Sequence, residues 1–216
     1  IDIVETTQRV PCNTFVSLTP RVSRSHYEFL GWNTKMTAQE PLTVYNIGTE
    51  NDVVLYPIFR PKIKLPKPTL AQSSYTYNGK TQTLQLNSFD SSLFTITENT
   101  MVDAGSKTAV VTIINKDRYE WVDGTDDVWT YTWTIDKKKV SAEWEATRLF
   151  TYNGNPQAPS VSITSGVDGE TLSIERTSEI DAGDYVSTAT LTGITGGRAK
   201  LSNYELQNTT VSYRIQ

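Results

Sequence analysis

Cysteine and histidine are almost missing from this chain: Cys12 and His26 are the single examples among 216 residues. One thiol excludes an intrachain disulfide. That fits a cytosolic protein, or a bacterial surface protein that folds without oxidation. With one imidazole and one thiol, no Ser-His-Asp or Cys-His arrangement is complete, and the ligands of a zinc site are lacking. Cys12 therefore reads as a small core or edge residue, and His26 as a plain surface or core histidine. Basic charge is also short. Lys and Arg number 20 against 24 acidic residues, for a net charge of −4. A nucleic-acid partner, whose phosphates demand a clustered basic face, is excluded on that ground. The longest basic run, Lys137-Lys138-Lys139, reads as a solvated junction. No apolar run is long enough to cross a bilayer, so no membrane insertion is expected. The chain opens mid-pattern at Ile1-Asp2-Ile3-Val4, as a mature or trimmed piece would. Missing targeting signals then say little about location.

What the chain does contain is a repeat. Tyr77-Asn78-Gly79 recurs as Tyr152-Asn153-Gly154, an offset of 75, and Asp103-Ala104-Gly105 recurs as Asp181-Ala182-Gly183, an offset of 78. Each copy closes on an aromatic and an Ile in register, Trp133-Thr134-Ile135 and Tyr213-Arg214-Ile215. Markers in the same order at nearly the same spacing mean a duplicated unit. Between them run short alternating or β-branched stretches, such as residues 107–114 and 128–135, with turn signals at Asn78-Gly79, Asp123-Gly124 and Asn153-Gly154. Asn-Gly and Asp-Gly between β-prone runs predict hairpins. No segment has a sustained helical period, so the expected class is mainly β.

Further strands are expected over residues 1–5, 15–18, 26–32 and 53–59, the last with Pro57 at an edge or bulge. Residues 33–42 read as a loop or short helical turn. The run Arg60-Pro61-Lys62-Ile63-Lys64-Leu65-Pro66-Lys67-Pro68 favours an extended, semi-rigid connector. Gly193 to Gly197 reads as a break in the chain. Three segments result: residues 1–61, 65–136 and 137–216.

The two copies resemble the bacterial Ig-like modules of the mostly-bacterial-Ig (MBG) type. The residues that carry this are Tyr77-Asn78-Gly79, Asp103-Ala104-Gly105 and Tyr119, then Tyr152-Asn153-Gly154, Asp181-Ala182-Gly183-Asp184-Tyr185 and Asn203-Tyr204. The first copy departs at Lys107, where the family has Tyr, and carries an insertion from Trp121 to Val128. Residues 1–61 resemble the Listeria–Bacteroides repeat of internalin-type surface proteins. Tyr27-Glu28-Phe29-Leu30-Gly31-Trp32-Asn33-Thr34 and Val53-Val54-Leu55-Tyr56-Pro57-Ile58-Phe59 carry that match, with Pro57 and Phe59 in place of Ala and Trp. The resemblances imply an N-terminal β-grasp-like module followed by two tandem Ig-like β-sandwich modules. They also imply an extracellular bacterial protein at the cell surface or wall.

The function expected from this is non-catalytic: a modular stalk or adhesin region, monomeric, with no cofactor and no metal. The alternative is a set of accessory modules that bind a host protein or glycan beside a surface enzyme. Asp123, Asp126 and Asp127 lack the regular spacing of a calcium loop and read as a hairpin tip. The candidate ligand contacts are Trp121, Trp129 and Trp144. Alternation puts Trp129 on one strand face with Trp133 and Ile135, which favours core packing for it. The shared residues report folding, so binding specificity is expected where the copies differ, above all in the Trp121–Trp129 segment.

Overall fold

Period-two alternation of β-branched and aromatic residues produces short strands throughout, and the protein is mainly β. The computed structural model describes residues 9–18, 21–48, 52–164, 166–167 and 169–216. Among them there is no α-helix, and a 3-10 turn, Leu201–Asn203, is the helical element. The strand expected over residues 1–5 lies outside the described residues.

The chain divides into two units. The first comprises residues 1–69, 88–95 and 111–129, and the second comprises residues 70–87, 96–110 and 130–216. In the first unit, Thr14–Ser17 pairs antiparallel with Val44–Ile47, and Tyr27–Asn33 with Tyr56–Pro61. Cys12 is exposed beside the first ribbon rather than packed in a core. The register of the second ribbon shifts between Phe29 and Gly31. Gly31 has φ +142, and a Cβ there would lie 2.6 Å from the Pro41 side chain. Only glycine makes that bulge, which turns Trp32 towards Leu42. Residues 33–42 are turns without a helix. The proline-rich segment read as a connector is extended but not free. Its middle, Ile63–Leu65, pairs in parallel with Tyr119–Trp121. Pro61 and Pro66 bracket the strand, and Leu65 is buried. The core of this unit includes Leu65, Phe94, Val111, Ile113 and Trp121.

The second unit holds one large cluster: Tyr77, Leu84, Ala109, Trp133, Ile135, Val140, Leu172 and Tyr204. Residues of both sequence copies enter it. A smaller cluster, Ala158, Tyr213 and Ile215, packs with Phe150 and Tyr185.

The duplication is visible in the topology. One sheet orders Ser74–Thr76, Trp129–Asp136, Gly105–Ile113 and Phe94–Thr97 side by side. The other orders Leu149–Phe150, Thr210–Ile215, Gly183–Gly196 and Glu170–Arg176 in the same way. The short strand before each tripeptide runs parallel to the closing strand, with Tyr75 opposite Ile135 and Phe150 opposite Ile215. Gly183–Gly196 is continuous through Gly193, against the expected break. A register shift at Ser173/Ile174 absorbs the irregularity, and Gly193 stays opposite Ser173.

The three Xaa-Gly turns form, but they do not close hairpins. Ser74–Thr76 pairs with the closing strand, whereas Gln82–Thr83 beyond the turn pairs with Thr100–Met101. The second copy does the same, and Tyr119–Trp121 pairs with Ile63–Leu65 rather than with the strand after Asp123-Gly124. Each turn hands the chain to a different partner, and its own side chains fix only its local shape. Asn78 Oδ1 accepts from Lys80 N–H at 2.9 Å, and Gln82 Nε2 donates to the Thr76 carbonyl at 3.0 Å. Asn153 Oδ1 accepts from Asn155 N–H at 2.9 Å, and Gln157 Nε2 donates to the Thr151 carbonyl at 3.1 Å. The repeated unit is thus Thr-Tyr-Asn-Gly-x-x-Gln, with glycine at φ +76 and +74. Gln82→Ala and Gln157→Ala are each expected to cost about 1 kcal/mol. Thr81→Ala, at an exposed position in the same turn, is expected to stay within about 0.5 kcal/mol of wild type. Urea unfolding midpoints check the difference.

Candidate functional site

The candidate tryptophans occupy three different environments. Trp121 is fully buried, stacked on Phe94 at 5.3 Å between ring centroids, and its Nε1–H donates to the Asp127 carbonyl at 2.8 Å. It has no ring face to offer a ligand. Trp129 is 39% exposed. The Lys67 ammonium sits over its ring at 3.6 Å, a cation–π contact of about 0.5–1 kcal/mol at such a site. Trp129 does lie on the same strand face as Trp133 and Ile135, but at the strand's outer end. Burial rises from Trp129 to Tyr131 to Trp133, so the packing expected for Trp129 is reached only further along. Trp144 is half-buried and donates Nε1–H to the Asn208 carbonyl at 2.9 Å. Within the first unit Trp121 and Trp129 do not share a platform, since one ring is closed in the core and the other lies at a strand end; Trp144 belongs to the second unit.

Polar side chains converge instead at two other places, each inside one unit. In the second unit, Glu170 opens the strand Glu170–Arg176 and is 4% exposed. Its Oε1 accepts from Tyr77 Oη–H at 2.7 Å and from the Arg198 backbone N–H at 2.9 Å. Its Oε2 accepts from Tyr204 Oη–H at 2.6 Å. Burial pushes this carboxyl up, but the Tyr204 and Tyr77 hydroxyls and the Arg198 N–H outweigh it, and the carboxyl lies below its ordinary value. Burial and the bond to Glu170 push the Tyr77 phenol up to about 12, and the same causes raise Tyr204. The Tyr77 and Tyr204 rings meet edge to face at 5.6 Å.

Beside them lies Asp103. It accepts from Arg198 Nε at 2.8 Å and Nη2 at 3.1 Å, from Lys200 Nζ at 2.5 Å and from Asn203 Nδ2 at 3.1 Å. The Arg198 bond first, and then Lys200, hold its carboxyl well below the usual carboxylate range. Asn203 is fully buried, and its Oδ1 accepts from the Ala104 N–H at 2.9 Å. Residues from both sequence copies, about 100 positions apart, thus form one connected network.

Folded-state values lowered at both Glu170 and Asp103 set a sign. The stability they contribute is complete above their unfolded values and is lost as pH falls through the folded ones. Stability is therefore expected to drop as pH falls below about 4, with little change between neutral pH and that point from these two groups. Urea midpoints across the acid range test this. Glu170→Gln, which removes one titration, should flatten the slope.

In the first unit, Glu120 is buried, with Lys64 Nζ at 2.6 Å from Oε1 and His26 Nδ1 at 3.0 Å from Oε2. Burial pushes its carboxyl up, and Lys64 and His26 bring it below its ordinary value. Glu28 is ion-paired to Arg60 at 2.6 Å and Arg118 at 3.2 Å. The Asp-Gly turn is tied down as well. Asp123 accepts from Thr125 N–H and from Lys67 Nζ, and Asp126 pairs with Lys62 at 3.5 Å. Two of the three aspartates of the tip are thus paired with lysines of the proline-rich segment.

Both oxygens of Glu170 are engaged by protein donors, and both oxygens of Glu120 by basic side chains. The arrangement holds segments together; both Glu170 oxygens accept hydrogen bonds, whereas Glu120 Oε1 lies in ion-pair contact with Lys64 without hydrogen-bond geometry. Among the described residues, no three His, Cys, Asp or Glu side chains are grouped to hold a metal. The sequence did not single out Glu170, Arg198 or Lys200. The one signal for this network was that Tyr77, Asp103, Asn203 and Tyr204 all belong to repeated or family-like motifs. Comparison of the chain with family models, with curated proteins and with solved structures finds no match in any of the three.

Proposed function

We propose that this chain is a non-catalytic segment of a bacterial cell-surface or secreted protein, a modular stalk or adhesin region. In this reading an N-terminal β-grasp-like module, residues 1–61, precedes two Ig-like β-sandwich modules, residues 65–136 and 137–216. The observation that carries the reading is where the motif residues are used. Tyr77 and Asp103 of the first copy spend their polar groups on Glu170, Arg198, Lys200 and Asn203 of the second. Residues that a catalyst would direct at a substrate are here directed at the next repeat.

The accessory-binding reading has weaker support. Trp121 is closed off, and one face of Trp129 already carries the Lys67 ammonium. A screen of the chain against glycans and host matrix proteins separates the two. Within the proposal, a stalk gives no saturable binding, and an adhesin gives binding that survives Trp129→Ala. Saturable binding abolished by Trp129→Ala would replace the proposal with the accessory-binding reading.

A further inference from the structure

The two copies of the repeat share their local geometry and differ in what covers it. In each copy the Gln of the motif pairs with the residue two positions before the Asp-Ala-Gly aspartate. Gln82 lies opposite Met101 in the first copy, and Gln157 opposite Glu179 in the second, where backbone bonds run both ways at 2.8 and 3.2 Å. The backbone N–H of the motif tyrosine also has the same task in each copy. Tyr77 N–H donates to the Asp136 carbonyl at 2.9 Å, and Tyr152 N–H to the Gln216 carbonyl at 2.7 Å. Tyr152 and Asp181 are therefore held as Tyr77 and Asp103 are held.

Their surroundings are opposite. Tyr77 is 1% exposed and Tyr152 is 54% exposed. Val102, Asp103 and Ala104 are half-buried, whereas Ile180, Asp181 and Ala182 are exposed. In the first copy, residues 137–216 supply the cover: Glu170 for the Tyr77 hydroxyl, Arg198, Lys200 and Asn203 for Asp103, and Val167 over the turn. A Cβ on Gly79 would lie 2.9 Å from Val167, but one on Gly154 would meet nothing closer than 4.0 Å. On the same backbone path the second copy presents an aromatic hydroxyl, an apolar side chain and a carboxylate, with the Tyr152 hydroxyl over its own Gly154 and with no acceptor for that hydroxyl or cation for Asp181 among the described residues.

We propose that Tyr152, Ile180 and Asp181 form a docking socket for a further β module of the same kind as residues 137–216, seated head to tail. The occupant brings a carboxylate at the place of Glu170 to take the Tyr152 hydroxyl proton in a hydrogen bond. It also brings a cationic pair and an amide at the places of Arg198, Lys200 and Asn203 to meet Asp181. A second whole copy of this chain does not serve, because its own Glu170 and Arg198 are already engaged by Tyr77 and Asp103. The occupant is a module whose receiving face is open.

The test is a tandem chain in which residues 137–216 are repeated directly after Gln216, so that the added lysine run follows Gln216 as Lys137 follows Asp136. Tyrosine nitration, mapped by peptide mass spectrometry, reads the socket. In the parent chain Tyr152 reacts and Tyr77 is protected. In the tandem chain Tyr152 is expected to become at least about tenfold less reactive, as a residue buried in a packed contact does. Asp181→Ala in the tandem chain is expected to restore part of its reactivity. Tyr152 reacting equally in the folded tandem chain and the parent overturns the proposal. If the added copy does not fold, the decision passes to the parent carrying Lys80→Asn, Thr81→Pro and Val102→Ile, which gives the first socket the second socket's sequence. Tyr77 staying protected there supports the proposal, and its exposure, or loss of the fold, sinks it. Neither result bears on the stalk reading, which the binding screen decides.

Discussion

Glu170→Ala is expected to destabilise the chain by about 3–5 kcal/mol, the largest effect of any polar substitution in it. The truncation removes the acceptor of two phenols and of the Arg198 N–H, all facing a site where Glu170 is 4% exposed. The phenol variants rank below it. Tyr77→Phe leaves Glu170 with Tyr204 and the Arg198 N–H, and should cost about 1–2 kcal/mol. Tyr204→Phe should cost more than Tyr77→Phe, because the Tyr204 hydroxyl also accepts from the Val167 N–H at 2.8 Å. The double variant Tyr77→Phe/Tyr204→Phe is expected to be non-additive, since both hydroxyls share one carboxylate. Guanidinium unfolding followed by circular dichroism gives all four values. A Glu170→Ala loss below about 1 kcal/mol, the level of an ordinary exposed ion pair, would mean that the network is not a closed one.

The physical origin of this network explains why the sequence half-showed it. Tyr77, Asp103 and Asn203-Tyr204 carry repetition and family likeness, but the bonds that join the two copies through Tyr77, Asp103 and Asn203 span 93 to 100 positions, and Tyr204 reaches Glu170 across 34. Local periodicity carries no information about pairings at that distance. Nothing in the local pattern distinguishes Glu170, Arg198 or Lys200 from the other charged residues of the chain. What was legible is what short-range chemistry dictates: the β class, the turn glycines and most strand positions, including Thr210–Ile215. The hairpin expected at Asn78-Gly79 does not close, because a turn residue fixes φ but not the partner of the strand that follows. Gln82 and Gln157, which brace the turn, share its offset of 75 and were visible in principle. Glutamine has no turn propensity to draw attention to it. Trp129 was placed on the correct face but at a strand end, where alternation predicts direction and not depth.

Trp121→Ala is the second large effect, at about 3–5 kcal/mol, and it separates two roles for the segment that only the first copy has. If that segment existed to bind, its tryptophans would be dispensable to folding. Trp121 instead stacks on Phe94 and bonds its indole N–H to the Asp127 carbonyl, so it fixes both ends of the insertion on the core of the first unit. Truncation leaves a cavity the size of an indole between buried neighbours, and it leaves the Asp127 carbonyl without its donor. Trp121→Phe keeps a stacked ring and loses only part of that, so it should fall at about half the alanine cost or less. Trp129→Ala, by contrast, removes a partly exposed ring and one cation–π contact, and should cost about 1 kcal/mol. Denaturant unfolding of the three variants measures the order. A Trp121→Ala chain as stable as wild type would return Trp121 to the list of ligand contacts. The expected order leaves Trp129 as the one candidate ring in this segment that can be removed to test binding without first testing folding.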